Sequence, residues 1–262
     1  MFKDKVLLIT GGTGSFGSTL LRKFANSDLK EIRVFSRDEK KQEDLRIELK
    51  NDKINFIIGD VRDFHSINTA MEGVDYVFKQ VPSCEFYPMQ AIQTNILGSE
   101  NVLEAAVHNR VKRVVVLSTD KAVYPINTMG MTKSLMEKLC INKARMPQVK
   151  ENGGVFCCTR YGNVMCSRGS IIPLFISQIK SGQPLTVTEP NMTRFMMSLD
   201  DWLCMPSNMP IRETFSYKKP RLLPLKHWRL PSKSFLTPTM KSRSSVPATA
   251  RKCTNRFAAK KR

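Results

Sequence analysis

The sequence predicts an α/β protein built on a doubly wound parallel sheet. Short apolar runs of strand length alternate with helical stretches over the first 160 residues. The first run, K-V-L-L-I-T, is continuously apolar, as a strand covered on both faces is. That run leads directly into a glycine cluster that opens a helix.

The elements follow in order. Lys5–Thr10 is the first strand, and Gly11-Gly12-Thr13-Gly14-Ser15-Phe16-Gly17 leads into a helical stretch, Ser18–Phe24. Glu31–Phe35 is the second strand and Asp38–Leu49 a charged helix. Ile54–Ile58 is the third strand, ending at Gly59-Asp60. Val74–Phe78 is the fourth, Ala91–His108 has helical spacing, and Val111–Ser118 is the fifth strand, with Gly154–Thr159 a candidate sixth. No internal repeat is evident.

The pattern G-G-x-G-x-x-G between a strand and a helix predicts a Rossmann-type dinucleotide site. Gly11, Thr13, Gly14, Ser15, Phe16 and Gly17 are its candidate cofactor residues. Gly14 lets the backbone approach a pyrophosphate, Gly17 lets the helix lie close to the strand, and the helix N-terminus supplies N–H groups. The end of the second strand selects the cofactor. An acidic residue there would hold a ribose 2′-hydroxyl; the chain instead reads Phe35-Ser36-Arg37-Asp38-Glu39-Lys40. Ser36, Arg37 and Lys40 suit a 2′-phosphate, so NADP is expected over NAD. Alternatively Arg37 pairs with Asp38 or Glu39. Asp60 and Val61 are placed to meet the adenine edge.

The fifth strand ends in Ser118-Thr119-Asp120-Lys121, at the sheet edge where ligands bind in such folds. An Asp beside a Lys there can act as an acid/base pair or can be an ordinary surface ion pair.

Charge and composition set limits. The 262-residue chain carries a net charge of +19, which by itself suggests a nucleic-acid partner. Its distribution argues otherwise: residues 1–200 hold 27 Lys and Arg against 21 Asp and Glu, and residues 201–262 hold 15 against 2. The latter segment also holds 7 of the 14 prolines, both tryptophans and no glycine. Seven cysteines without a C-x-x-C predict neither a disulfide framework nor a zinc or other metal site. With only a five-residue apolar run near the start and no run of about 18 apolar residues, neither a signal peptide nor a membrane span is expected, and the compartment expected is the cytoplasm.

The segments G-G-T-G-S-F-G, F-S-R-D-E-K-K-Q, G-D-V-R-D, K-Q-V-P-S-C-E-F-Y-P-M, S-T-D-K-A-V-Y-P-I-N, T-R-Y-G-N-V-M, S-R-G-S-I-I-P-L-F and N-M-T-R-F-M-M together resemble bacterial UDP-N-acetylglucosamine 4,6-dehydratases. The resemblance is to the C5-inverting, capsule and O-antigen branch of the extended short-chain dehydrogenase superfamily. It covers residues 1–200, and close relatives are UDP-hexose 4-epimerases. It implies an NADP-dependent enzyme that oxidises sugar C4, eliminates water across C5 and C6, and returns hydride to C6. It implies a UDP-sugar substrate, a homo-oligomer, Asp120 and Lys121 as the elimination pair, Thr119 at the sugar, and Lys133 at the nicotinamide ribose. Lys79, Asn163, Arg168, Ser170, Thr193 and Arg194 would hold the substrate. Met129 stands four residues before Lys133, where the wider superfamily has a tyrosine. The capsule branch itself resembles I-N-x-M-G-x-[ST]-K, so Met129 is expected to pack beneath the nicotinamide.

Two departures stand out. Val77-Phe78 runs straight into Lys79-Gln80, where relatives carry about five more residues beside the cofactor cleft. That change is expected to pull Lys79 out of position. After Asp201 the resemblance ends in this frame and returns one base out of frame at Leu203–Pro210, Pro210–Pro220 and Ser245–Lys252. A frameshift near Asp200–Trp202 is therefore expected. The sequence thus predicts a Rossmann domain over 1–180, the start of a substrate subdomain over 181–201, and a basic, proline-rich, disordered tail over 202–262. Three functions remain open: a nucleotide-sugar dehydratase or epimerase, an inactive nucleotide-binding remnant, or a cofactor-sensing module with a basic tail.

Overall fold

Six parallel strands make the main sheet of the computed structural model, in the order β3-β2-β1-β4-β5-β6. The structure describes residues 2–79, 87–165, 170–186, 193–198 and 221–224. The strands are β1 (Val6–Thr10), β2 (Glu31–Ser36), β3 (Ile54–Ile58), β4 (Tyr76–Lys79), β5 (Arg113–Leu117) and β6 (Val155–Thr159). All six fall on apolar runs singled out in the sequence. The order reverses between β1 and β4, which opens a crevice at the carboxyl ends of these two strands.

The helices α1 (Ser15–Phe24), α2 (Glu39–Leu49), α3 (Phe64–Ala70), α4 (Pro88–Ala91), α5 (Gly98–His108), α6 (Thr128–Ala144) and α7 (Pro147–Glu151) connect the strands. A π-helical turn, Ile92–Leu97, joins α4 to α5. Local chemistry sets several helix starts. Asp38 accepts from Lys41 N at 3.0 Å, Asp63 from His65 N at 3.0 Å and Asn127 from Gly130 N at 2.8 Å. Each satisfies a backbone donor that the first turn leaves open. Lys50 closes α2 in the left-handed region with φ 42°.

One face of the sheet carries the larger core. Val6, Leu8, Val77, Val114, Val116 and Phe156 pack there against Ile67 and Met71, against Val102, Leu103, Ala105 and Ala106 of α5, and against Met136 of α6. Lys143 ties α6 to α5 through Glu100 at 2.7 Å and through Glu104. Leu7 and Ile9, also buried, point to the opposite face, where α1 and α2 meet β1 and β2.

The first stretch of this unit runs to Tyr161. Strand β7 (Asn163–Val164), helix α8 (Ile171–Lys180) and strands β8 (Thr193–Met197) and β9 (Arg221–Pro224) belong to a second unit. Within it β8 pairs with β7 in parallel and with β9 antiparallel. Strand β9 lies in the segment expected to carry no structure. The backbone pairing of Arg221–Pro224 with Thr193–Met196 supplies what its sequence period does not. The rest of the tail and the expected frameshift position near Asp200–Trp202 lie outside the described residues. No helix among the described residues is long and apolar enough to cross a membrane.

Candidate active site

The glycine cluster makes close backbone approaches. Gly11 has φ 65°, and its N–H donates to Phe35 O at 2.8 Å, tying the turn to β2. A Cβ on Gly17 would stand 2.5 Å from Gly12 Cα and 2.6 Å from Gly11 O, so α1 packs on the turn with no room for a side chain. Gly14 is the N-cap of α1 and no side chain caps that end. Ser15 is exposed there, whereas Phe16 turns inward, stacked on Phe78 at 5.4 Å and on Tyr161 at 5.9 Å. A close turn, an end without a side-chain cap and a helix dipole fit a pyrophosphate.

At the end of β2, Thr13 Oγ1 donates to Ser36 Oγ at 3.3 Å, and the buried Gln42 amide donates to Ser36 Oγ at 3.1 Å. Arg37 is 56% exposed and lies 3.6 Å from Asp60 Oδ2 across the β2–β3 boundary. Neither Asp38 nor Glu39 is its partner in an ion pair; Asp38 is occupied by Lys41. Lys40 extends into solvent towards Asp44, 3.0 Å away on the same helix, and does not join the cluster. Arg62 grips Asp60 through Nε at 2.8 Å and its backbone N–H at 2.9 Å. Burial works to raise the Asp60 carboxyl pKa, and the Arg62 hydrogen bonds, with the Arg62 and Arg37 charges, outweigh it and lower it. Val61 packs under Gly98, where a Cβ would meet Val61 Cγ2 at 2.8 Å.

After β5, Thr119 Oγ1 donates to Asp120 Oδ1 at 2.9 Å, and Lys121 Nζ lies 3.2 Å from the same oxygen. The Lys121 side chain is 34% exposed and that of Asp120 17%, so both can reach a ligand. Asp120 N donates to Tyr161 O at 3.0 Å. Gly130, at the start of α6, allows the close approach that locks this strip: a Cβ there would stand 2.5 Å from Lys121 O. Met129 is half-buried on α6, and its carbonyl accepts from Thr132 Oγ1 at 3.2 Å.

Lys133 is 2% exposed, and its Nζ donates to Leu117 O at 2.6 Å. Burial lowers its pKa to about 7, against a small upward pull from Cys158 and Glu137. Lys79 does not reach the expected substrate position. As the last residue of β4 it pairs with Thr10 and Val116 and is wholly buried, with its ammonium on Ser99 Oγ and 3.5 Å from Thr94 O. The strand register draws its side chain into the core. Burial, then the charge of Lys133, holds its pKa well below the ordinary lysine value. Thr10 Oγ1 and Ser118 Oγ are buried with no hydrogen-bond partner among the described residues.

Asn163 lies in β7 and Ser170 is the N-cap of α8, both in the second unit. Thr193 and Arg194 lie in β8, and Arg168 falls outside the described residues. Sequence reasoning did not single out Arg62, Tyr161 or the Asn95–Ser99 segment. The D-V-R spacing that folds Arg62 back on Asp60 was there to be read. Glu137, 3% exposed on its side chain and held by Arg160 at 2.6 Å, gave no such signal.

With this geometry in hand, comparison with known proteins is direct. A family model described as "Polysaccharide biosynthesis protein" matches residues 7–205. The chain belongs to that family. A similar curated relative in this family is a "UDP-glucose 4-epimerase" of Rickettsia canadensis, 66% identical over 210 residues, which are 77% of this chain and 61% of the relative. The chain thus spans about three-fifths of the length of the curated relatives it matches. Among solved structures, Pen from Bacillus thuringiensis is 42% identical with a TM-score of 0.73, over 77% of this chain and 63% of Pen. DesIV, a dTDP-glucose 4,6-dehydratase from Streptomyces venezuelae solved with NAD and TYD bound, has a TM-score of 0.65 at 23% identity, over 75% of this chain and 69% of DesIV. That last likeness bears on the fold, and it is the same Rossmann-type parallel sheet.

Proposed function

We propose that this chain derives from an NADP-dependent UDP-N-acetylglucosamine 4,6-dehydratase of capsule or O-antigen synthesis. The observation that carries the reading is the Asp120–Lys121 pair, a carboxylate and an amine 3.2 Å apart, partly exposed where the sheet's carboxyl edge opens. When bound, the nicotinamide supplies the hydride acceptor and donor. The chain's own residues do the rest. The glycine turn and the α1 N-terminus hold the pyrophosphate, and Arg37 with Ser36 meets a 2′-phosphate. Thr119 orients the sugar. The Asp120–Lys121 pair removes the proton from C5 of the 4-ketosugar and returns a proton to the hydroxyl leaving C6. Asn163, Arg168, Ser170, Thr193 and Arg194 hold the UDP moiety. Met129 has no dissociable proton and packs.

The names of the Rickettsia relatives favour a second reading, a UDP-sugar 4-epimerase. That reaction needs the hydride step without the elimination.

Turnover in this chain is low under either reading. The alignment with the Rickettsia canadensis relative runs over 210 residues but takes in 77% of the 262, about 202, which supports a shortening inside the matched region. The burial of Lys79 at the end of β4 supports placing it there. A displacement of about 1 Å beside the reacting atoms can cost on the order of a hundredfold in rate. The test is to incubate the purified chain with UDP-N-acetylglucosamine and NADP⁺, beside a version with five residues restored after Phe78 and the frame restored after Asp200. The repaired protein should form a 4-keto-6-deoxy sugar, and Lys121→Ala should abolish it. Formation of the C4 epimer alone moves the assignment to the second reading. Brisk turnover by the unrepaired chain overturns the impairment.

A further inference from the structure

The cluster at the ends of β2 and β3 contains two arginines and one carboxylate, and the arginines are held unequally. Arg62 engages both Asp60 oxygens: its backbone N–H donates to Oδ1 at 2.9 Å, and its Nε and Nη2 reach Oδ2 at 2.8 and 2.6 Å. Its remaining nitrogen, Nη1, donates to Gln90 Oε1 at 3.1 Å. The loop beneath is braced by Asn101, whose amide donates to Val61 O and Arg62 O at 3.0 Å each. Arg37 stands 3.6 Å from Asp60 Oδ2, beyond hydrogen-bond length, and more than half of its side chain is in solvent. It makes no hydrogen bond to any described residue.

We propose that Arg62 is a positioning residue for cofactor choice: by occupying Asp60 it keeps that carboxylate from closing on Arg37, whose guanidinium fork remains open for a 2′-phosphate. The proposal rests on the reading of Arg37 as the 2′-phosphate partner. The physical reason is competition. A carboxylate held at bonding distance would neutralise Arg37 and repel a phosphate dianion. Arg62 cancels the carboxylate's charge and holds both of its oxygens. Without Arg62, the nearest cation left to Asp60 among the described residues is Arg37, and a bidentate Arg37–Asp60 pair would form at the expense of the phosphate.

The test uses the adenosine half alone, because it does not touch the shortened β4 end. Affinities for 2′,5′-ADP and 5′-ADP are measured by titration calorimetry at low ionic strength, and the ratio of the two is the readout. Arg62→Met should weaken 2′,5′-ADP by up to about fivefold, the upper end of what one exposed ion pair carries, and leave 5′-ADP within about twofold. Adding Asp60→Asn should restore the ratio, because the competing charge is gone. A ratio unmoved by Arg62→Met overturns the proposal. So does a loss that Asp60→Asn does not rescue, which would put Arg62 on the phosphate itself. Arg37→Ala is the separate check on the underlying reading: if it weakens both nucleotides equally, the 2′-phosphate assignment fails. Absence of binding of either nucleotide to the unaltered chain overturns both.

Discussion

Lys133→Met should stabilise this protein at neutral pH, although it removes an amine and its hydrogen bond to Leu117 O. The buried amine has its pKa lowered from 10.5 to about 7 by desolvation. In the unfolded chain it titrates near its ordinary value, so between pH 7 and about 10 the unfolded state binds one more proton than the folded state. Stability must then rise with pH across that window. The full shift of about 3.5 units, at 1.36 kcal/mol each, is a penalty of roughly 5 kcal/mol that is complete below pH 7. Removing the amine relieves most of it, offset by about 1 kcal/mol for the bond to Leu117 O. A net gain of roughly 3 kcal/mol is expected at pH 7. The assay is urea unfolding followed by circular dichroism from pH 7 to 8.5. The upper limit matters because burial pushes the Cys157 thiol up to about 12, which contributes the opposite slope once unfolded thiols ionise near pH 9. Within the window the parent should gain roughly 1.5 kcal/mol from Lys133, and the variant should lose that share of the slope. Lys79, depressed in the same direction, adds a further rise to both. A parent whose stability falls from pH 7 to 8.5, or a Lys133→Met variant less stable than the parent at pH 7, would refute the reasoning.

Gly17→Ala should cost about 1–3 kcal/mol by overpacking, since the new carbon would lie 2.5 Å from Gly12 Cα; thermal melts read the loss, and an unshifted melting temperature contradicts the packing. Arg160→Ala strands the buried Glu137 carboxylate and should cost about 3–5 kcal/mol, whereas Arg160→Met with Glu137→Leu should return near the parent; equal loss in both variants would show that the pair's charge is not the cause. Limited trypsin digestion should remove residues beyond about 225 and leave the first unit intact, since that stretch is rich in Lys and Arg; protection through Arg262 on mass spectrometry contradicts this.

The central strands were legible because a parallel strand covered on both faces must be a continuous apolar run, and V-L-L-I-T and the V-V-V-L of Arg113–Leu117 are such runs. Helix α6 was not. Its inner face mixes Met136 and Cys140 with Thr132, Lys133, Glu137 and Lys143, so polar and charged residues interrupt the apolar period. The glycine turn was readable because spacing alone dictates its close contact. The partner of Arg37 was not: Asp38 and Glu39 are nearer in sequence, but the pairing of β2 with β3 brings Asp60 to the same edge. Lys79 shows the same limit. Its spacing alone does not say which way its side chain points, and the Thr10–Lys79–Val116 register with its complete burial shows that it points inward.

Among the described residues, strand β9 is where the basic tail meets a defined partner, and the way it does so is undemanding. An antiparallel ladder is written in backbone amides and carbonyls, so R-L-L-P can take a seat on β8 without having been selected for it. What the ladder accomplishes is to cover the second side of β8. With β7 on one side and β9 on the other, β8 is left with no open edge. A bare strand edge is a template on which other chains can add and aggregate. Proline at position 224 ends the ladder and offers no N–H for another strand to join. A segment unrelated in sequence to the rest of the chain can therefore act as a self-supplied stopper, and truncating the protein before Arg221 should make the longer, proline-free β8 a sheet edge in place of the proline-ended β9, with a greater tendency to aggregate.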